Sequence, residues 1–125
     1  MELDDLIISD TDYIRLSKLQ NIDLLEHELS RAYVVPADQL PSNVVSMNTH
    51  VIYLDERSGI SRAIELVYPE DANWESRKVS VLSPVGSALL GLREGQTIRW
   101  PFPNNHSRNL KVLSVTKPNQ GVNNA

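Results

Sequence analysis

Residues 79–100 constrain the fold more than any other stretch. They read Val-Ser-Val-Leu-Ser-Pro-Val-Gly-Ser-Ala-Leu-Leu-Gly-Leu-Arg-Glu-Gly-Gln-Thr-Ile-Arg-Trp, which spells strand, short helix, strand. Val79 and Val81 alternate with Ser80, the period of a half-buried strand. Ser83 stands just before Pro84. A serine side chain can accept from an orphan amide of a first helical turn, and proline at the first helical position sacrifices no hydrogen bond. Val85, Ala88, Leu89 and Leu92 recur at spacings of three and four and so share one helix face. Gly91 and Gly95 are natural exits, because glycine takes a positive φ without a Cβ clash. The small Gly86 and Ser87 imply that this helix lies close against its own sheet or a partner.

The rest of the chain supplies a helical front and more strands. Ser9-Asp10-Thr11-Asp12 reads as a capping-box start, with Ile8 and Tyr13 placed to staple across it. Tyr13, Leu16 and Leu19 continue one face to about Gln20. Ile22, Leu25, Leu29 and Ala32 make a second periodic segment. Two helices of about 15 Å each, joined by about two residues, are expected to lie antiparallel. Pro36 and Pro41 bracket a stiff linker. Residues 44–54 are rich in β-branched and aromatic side chains, and residues 61–68 form the return strand of a hairpin around the turn at 55–59. Residues 69–76 form a polar connection carrying Trp74. Residues 78–82, 96–102 and 110–115 complete the strands, with a Pro/Asn turn after Pro101. The expected organisation is a helical hairpin at 1–36, a main domain at 37–117 and a polar tail at 118–125. The fold class is α+β with a mostly antiparallel sheet.

Composition excludes several classes of function. The 125 residues hold no cysteine, so there is no disulfide, thiolate metal site or cysteine nucleophile, in keeping with a reducing cytoplasm. No apolar run approaches the roughly 18 residues of a membrane span, and the acidic Met-Glu-Leu-Asp-Asp start has the wrong sign for a signal peptide. A net charge of −4 argues against a duplex-binding surface and permits approach to a basic patch on a protein. His27, His50 and His106 share no ligand spacing, and neither metal nor cofactor is expected. Walker, Gly-x-Ser-x-Gly and paired-glycine nucleotide motifs are absent. Asp23 and Glu26 stand three apart at the start of the second helix, where carboxylates suit the helix dipole. Trp100 and Phe102 read as core or interface aromatics. Arg77, Lys78, Arg93 and Arg99 read by default as a solvated basic edge.

The segment Ser83-Pro84-Val85-Gly86-Ser87-Ala88-Leu89-Leu90-Gly91, followed by Gly95-Gln96-Thr97-Ile98, resembles the C-terminal domain of the bacterial GreA/GreB transcript-cleavage factors. Val45-Ser46-Met47-Asn48-Thr49, Leu66-Val67-Tyr68-Pro69 and Ala88-Leu89-Leu90-Gly91-Leu92-Arg93 look like the Rnk branch of that family, regulators of nucleoside diphosphate kinase. The resemblance covers about residues 6 to 117. It implies a sheet cupped over a short helix in the manner of FK506-binding proteins (FKBP-like), after a truncated coiled coil. It further implies a monomeric, cytoplasmic, non-catalytic transcription regulator whose partner is RNA polymerase, bound near its secondary channel in competition with Gre-type factors. The docking loop would be Ser83, Pro84, Val85 and Gly86, and the hairpin-tip contacts Asp23 and Glu26. Gre factors carry acidic residues on a long coiled coil that reach a catalytic magnesium, but a hairpin of about 15 Å is too short for that. Transcript cleavage and FKBP-type prolyl isomerisation, the latter centred on Trp100, are the alternatives, along with an indirect effect on nucleoside diphosphate kinase levels.

Overall fold

A computed structural model describes residues 6–19, 26, 29–102 and 106–117, without the side chains of residues 101, 102, 106 and 107. The main sheet has five strands: β3 (Thr49–Asp55), β4 (Ile60–Val67), β5 (Lys78–Ser80), β6 (Thr97–Phe102) and β7 (His106–Thr116), in the order β5-β4-β3-β7-β6. All pairs are antiparallel except β4 with β5. The alternation of β3 sets its faces: Val51 and Tyr53 are buried, and His50 and Ile52 point outward. A register shift between Ile52 and Tyr53 bends β3 against β7. One short helix, α2 (Pro84–Leu89), puts Ala88 and Leu89 into the cluster formed by Val51, Leu66, Leu110 and Val112. This is the expected α+β arrangement of a sheet with few helices.

The N-terminal part departs from the helical expectation. Leu6–Ser9, expected as a short apolar lead, is a strand, β1, and Ala32–Val35 is a second, β2; the two pair in parallel, Leu6 with Ala32 through Ser9 with Val35. Between them α1 (Asp10–Ser17) is capped by Ser9, whose hydroxyl accepts from the Asp12 amide at 3.1 Å. The expected cap is therefore present, and the helix stops short of Gln20. Glu26, Leu29 and Ser30 are helical, within the second periodic segment, whose remainder up to Glu28 lies outside the described residues. Ala32, expected as the end of that helix, instead opens β2. The run Tyr33-Val34-Val35 favours a strand, and β1 offers the edge to pair with.

Leu6, Ile8, Leu16 and Leu29 belong to the same hydrophobic cluster as the sheet and α2. The join is made at Gly91. Its amide donates to the Val45 carbonyl at 2.9 Å, its carbonyl accepts from the Ile7 amide at 3.2 Å, and the Val45 amide donates to Leu92 at 2.8 Å. Residues 44–47, expected to begin β3, are therefore an irregular buried segment bonded to the exit of α2. At Gly91 φ is +87°, and an added Cβ would come within 2.9 Å of the Leu6 Cβ. At Gly95 φ is +89° with open space around it.

These two glycines give a paired prediction. Gly95→Ala carries backbone strain alone and should cost about 1 kcal/mol. Gly91→Ala adds a clash with β1 and should cost about 2–4 kcal/mol. Urea unfolding of the two variants checks the ranking, and equal losses would contradict the β1 contact.

Candidate functional site

The expected docking loop lies where β5 hands over to α2. Ser83 is tied on both sides: its hydroxyl donates to the Ser80 carbonyl at 2.7 Å and accepts from the Gly86 amide at 3.1 Å. Pro84 takes the first helical position, where no amide is required. Ser83, Pro84 and Val85 are half-buried and present one side to solvent, whereas Gly86 is buried. A Cβ on Gly86 would overlap the Ser80 carbonyl and lie 2.9 Å from the Val81 Cα. Its small size therefore serves the contact between α2 and the end of β5. Ser87 is also buried and donates to the Val81 carbonyl at 2.8 Å. Of the four expected docking residues, three are available to a partner, and the fourth holds the loop's shape.

Of the expected tip contacts, Glu26 is exposed and helical, and Asp23 lies outside the described residues. Trp100 is 5% exposed within the core cluster, with no hydrogen-bond partner for its indole nitrogen. The side chain of Phe102 is outside the described set. Among the described residues, no group of three His, Asp or Glu is placed to hold a metal. No described helix is long and apolar enough to cross a membrane.

Sequence reasoning missed the clamp that fixes α1 on the sheet. Asp12 accepts from the Met47 amide at 3.2 Å and from the Tyr68 hydroxyl at 3.3 Å. The Arg15 guanidinium lies 3.8 Å from the centre of the Tyr68 ring and pairs with Glu70. Burial pushes the Asp12 carboxyl above its ordinary range, opposed by these hydrogen bonds and by Lys117. Burial also raises the Tyr68 hydroxyl, and the neighbouring Asp12 adds to the effect. In the sequence Asp12 reads as part of a helix cap and Tyr68 as part of a strand, and nothing joins them. The partners lie 35 and 56 residues from Asp12, which local periodicity cannot see.

Because Asp12 holds its proton more tightly in the folded state, the contribution is most favourable below the ordinary carboxylate pKa and is lost as pH rises through the elevated value. The parent protein should lose stability relative to an Asp12→Asn variant between about pH 4 and pH 7. Urea midpoints of both proteins at the two pH values measure this. A gap that widens in the parent's favour at the higher pH would contradict it.

Comparison with known proteins places this arrangement among transcription factors. Residues 40–117 match the profile of the family described as transcription elongation factor, GreA/GreB, C-term. The chain is 39% identical over 93 residues to the regulator of nucleoside diphosphate kinase of Escherichia coli (strain K12), spanning 74% of this chain and 68% of that protein. It is 30% identical over 95 residues to transcription elongation factor GreA of Thermodesulfovibrio yellowstonii, spanning 76% of this chain and 60% of that one. Among solved structures, a prokaryotic transcription elongation factor GreA/GreB from Nitrosomonas europaea is similar at a TM-score of 0.69 and 39% identity, over 90% of this chain and 98% of that one. Thermus aquaticus Gfh1, at a TM-score of 0.51 and 21% identity over 90% of this chain and 98% of that one, shares the fold.

Proposed function

The chain belongs to the GreA/GreB transcription elongation factor family, and from that premise we propose that it is a non-catalytic regulator in the manner of Rnk. It binds RNA polymerase near the secondary channel and excludes longer Gre-type factors without stimulating transcript cleavage. In this reading, residues 37–117 form the gripping module, an FKBP-like cup of sheet over α2. Residues 1–36 form a short finger, and 118–125 a tail outside the grip. Ser83, Pro84 and Val85 make the docking contact, and Gly86 keeps their turn in shape. Asp23 and Glu26 face the channel.

The observation that carries the proposal is the parallel pairing of β1 with β2. Parallel strands need a crossover connection, so residues 10–31 must carry the chain from the end of β1 back to the start of β2, and any excursion away from the pair must be returned within the same residues. Twenty-two residues shared between two directions reach about 16 Å if fully helical. A finger of that length can obstruct an entrance but cannot carry carboxylates down a deep channel to a buried metal. The clamp of Asp12 and Arg15 on Met47, Tyr68 and Glu70 holds the base of the finger against the module, so docking one orients the other.

The test is binding to purified RNA polymerase, alone and against a Gre-type factor. Pro84→Glu puts a charge on the half-buried face of the loop, where the first turn of α2 tolerates an acid. It should weaken polymerase binding by about tenfold and abolish displacement of the Gre-type factor, with the unfolding midpoint preserved. Unchanged binding by this variant would remove the docking assignment, and failure of the parent to displace the longer factor would remove the competition.

A further inference from the structure

β5 covers only part of its neighbour. It pairs with Glu65, Leu66 and Val67 of β4 and begins only at Lys78 because Arg77 adopts φ +60°, a left-handed conformation that keeps the preceding chain off the sheet. The remainder of that β4 edge, from Ile60 to Ile64, has no strand beside it among the described residues. The direction of its backbone groups follows from two bonds. The Leu66 carbonyl accepts from Asn48 on the β3 side, and the Glu65 amide donates to Arg77 on the β5 side. Strand alternation then points the amides and carbonyls of Ser61 and Ala63 outward, along the open edge. Lysine and proline, which blunt such edges, are absent from Ile60 to Ile64.

Beside this edge runs a groove of about 990 Å³. Ile64, Val79 and Val85 give it an apolar floor, and Trp74 stands at its rim, 85% exposed. The tryptophan is on a stiff support. The Asn73 side chain accepts from the Glu75 and Ser76 amides, and the Asn73 and Lys78 backbones bond each other in both directions at 2.9 Å. Arg62 and Arg77 also line the groove, and neither has an ion-pair partner among the described residues. Glu75 is the only carboxylate among the groove's described residues, so the groove is locally positive on a chain of net charge −4.

We propose that this groove binds an extended acidic segment of a protein partner, which adds as a strand to β4 at Ser61 and Ala63 under Trp74 and pairs its carboxylates with Arg62 and Arg77. Strand addition supplies the affinity through main-chain bonds, and the flanking side chains supply the choice of sequence. A rigid exposed tryptophan beside an arginine pair is the composition of an interface anchor. A nucleic acid strand would want a longer basic track than two arginines on an acidic protein. The proposal is independent of polymerase docking, since Ser83 and Pro84 do not line the groove and only Val85 is shared.

The experiment is an amide-resolved NMR titration of the full chain with a peptide of about six residues alternating valine and glutamate. Saturable shifts should concentrate on the Ser61 and Ala63 amides and the Trp74 indole. Trp74→Ala, at an exposed site, should weaken binding by about tenfold. Ala63→Pro deletes an outward amide without touching the bonds to β3 and should weaken it comparably. A peptide with lysine in place of glutamate should fail to bind. The proposal is overturned by the absence of saturable shifts, by shifts centred elsewhere, or by equal binding of the lysine peptide. It is also overturned if a single-stranded oligonucleotide binds the groove more tightly than the acidic peptide, or if the same amides respond to protein concentration alone through pairing of two copies.

Discussion

The structure depends on the backbone junction at Gly91. One residue there donates to Val45 and accepts from Ile7, so three distant segments meet at a single residue: β1, the buried 44–47 segment and the exit of α2. The approach is close enough that the missing Cβ is a condition of the contact. Once β1 is held, Leu6 and Ile8 fill the core beneath α2, and the edge of β1 becomes the template on which β2 pairs. The α2 exit thus decides how the N-terminal third of the chain is attached.

The functional consequence is geometric. A parallel pair fixes where the chain leaves the module and where it re-enters, and the short connection between those points limits how far the finger extends. The same family fold with a longer excursion would reach farther from an identical base. In the proposed reading, occupancy and delivery of catalytic acids are separated by the number of residues placed between β1 and β2. The short α2 turn works in the opposite sense, since its capping serine and buried glycine hold the loop in one shape. A preformed contact of this kind loses little conformational freedom on docking.

Much of the module was legible because its signals are local. The Ser83-Pro84 start of α2, the glycine exits, the hairpin around the turn at 55–59 and the strand before α2 each announce themselves within a few residues. The parts that were not legible are made by distant partners. β1 and β2 are four residues each, too short for a period to declare itself, and they pair across more than twenty residues. Val44 and Val45 have strand composition, but the Val45 amide and carbonyl bond Leu92 and Gly91 after α2, and the Val44 amide donates to Pro41. Gly86 was legible as a small residue in a contact, but not as one turned inward to the end of β5. Trp74 stood out only as an aromatic in a polar connection. Its place beside an open stretch of β4 comes from the late start of β5, set by the left-handed Arg77, a conformation that an arginine in sequence does not advertise.

The proposed function requires a finger that is short and folded back at its base. The direct measurement is the distance between spin labels at residues 23 and 34, by double electron–electron resonance in the full chain. A helical return into β2 predicts a narrow distribution near 20 Å, about eight residues at the helical rise followed by three at the strand rise. A distribution centred at about 30 Å or beyond, which requires an extended excursion of that length, would contradict the short reach on which the proposed non-cleaving function depends.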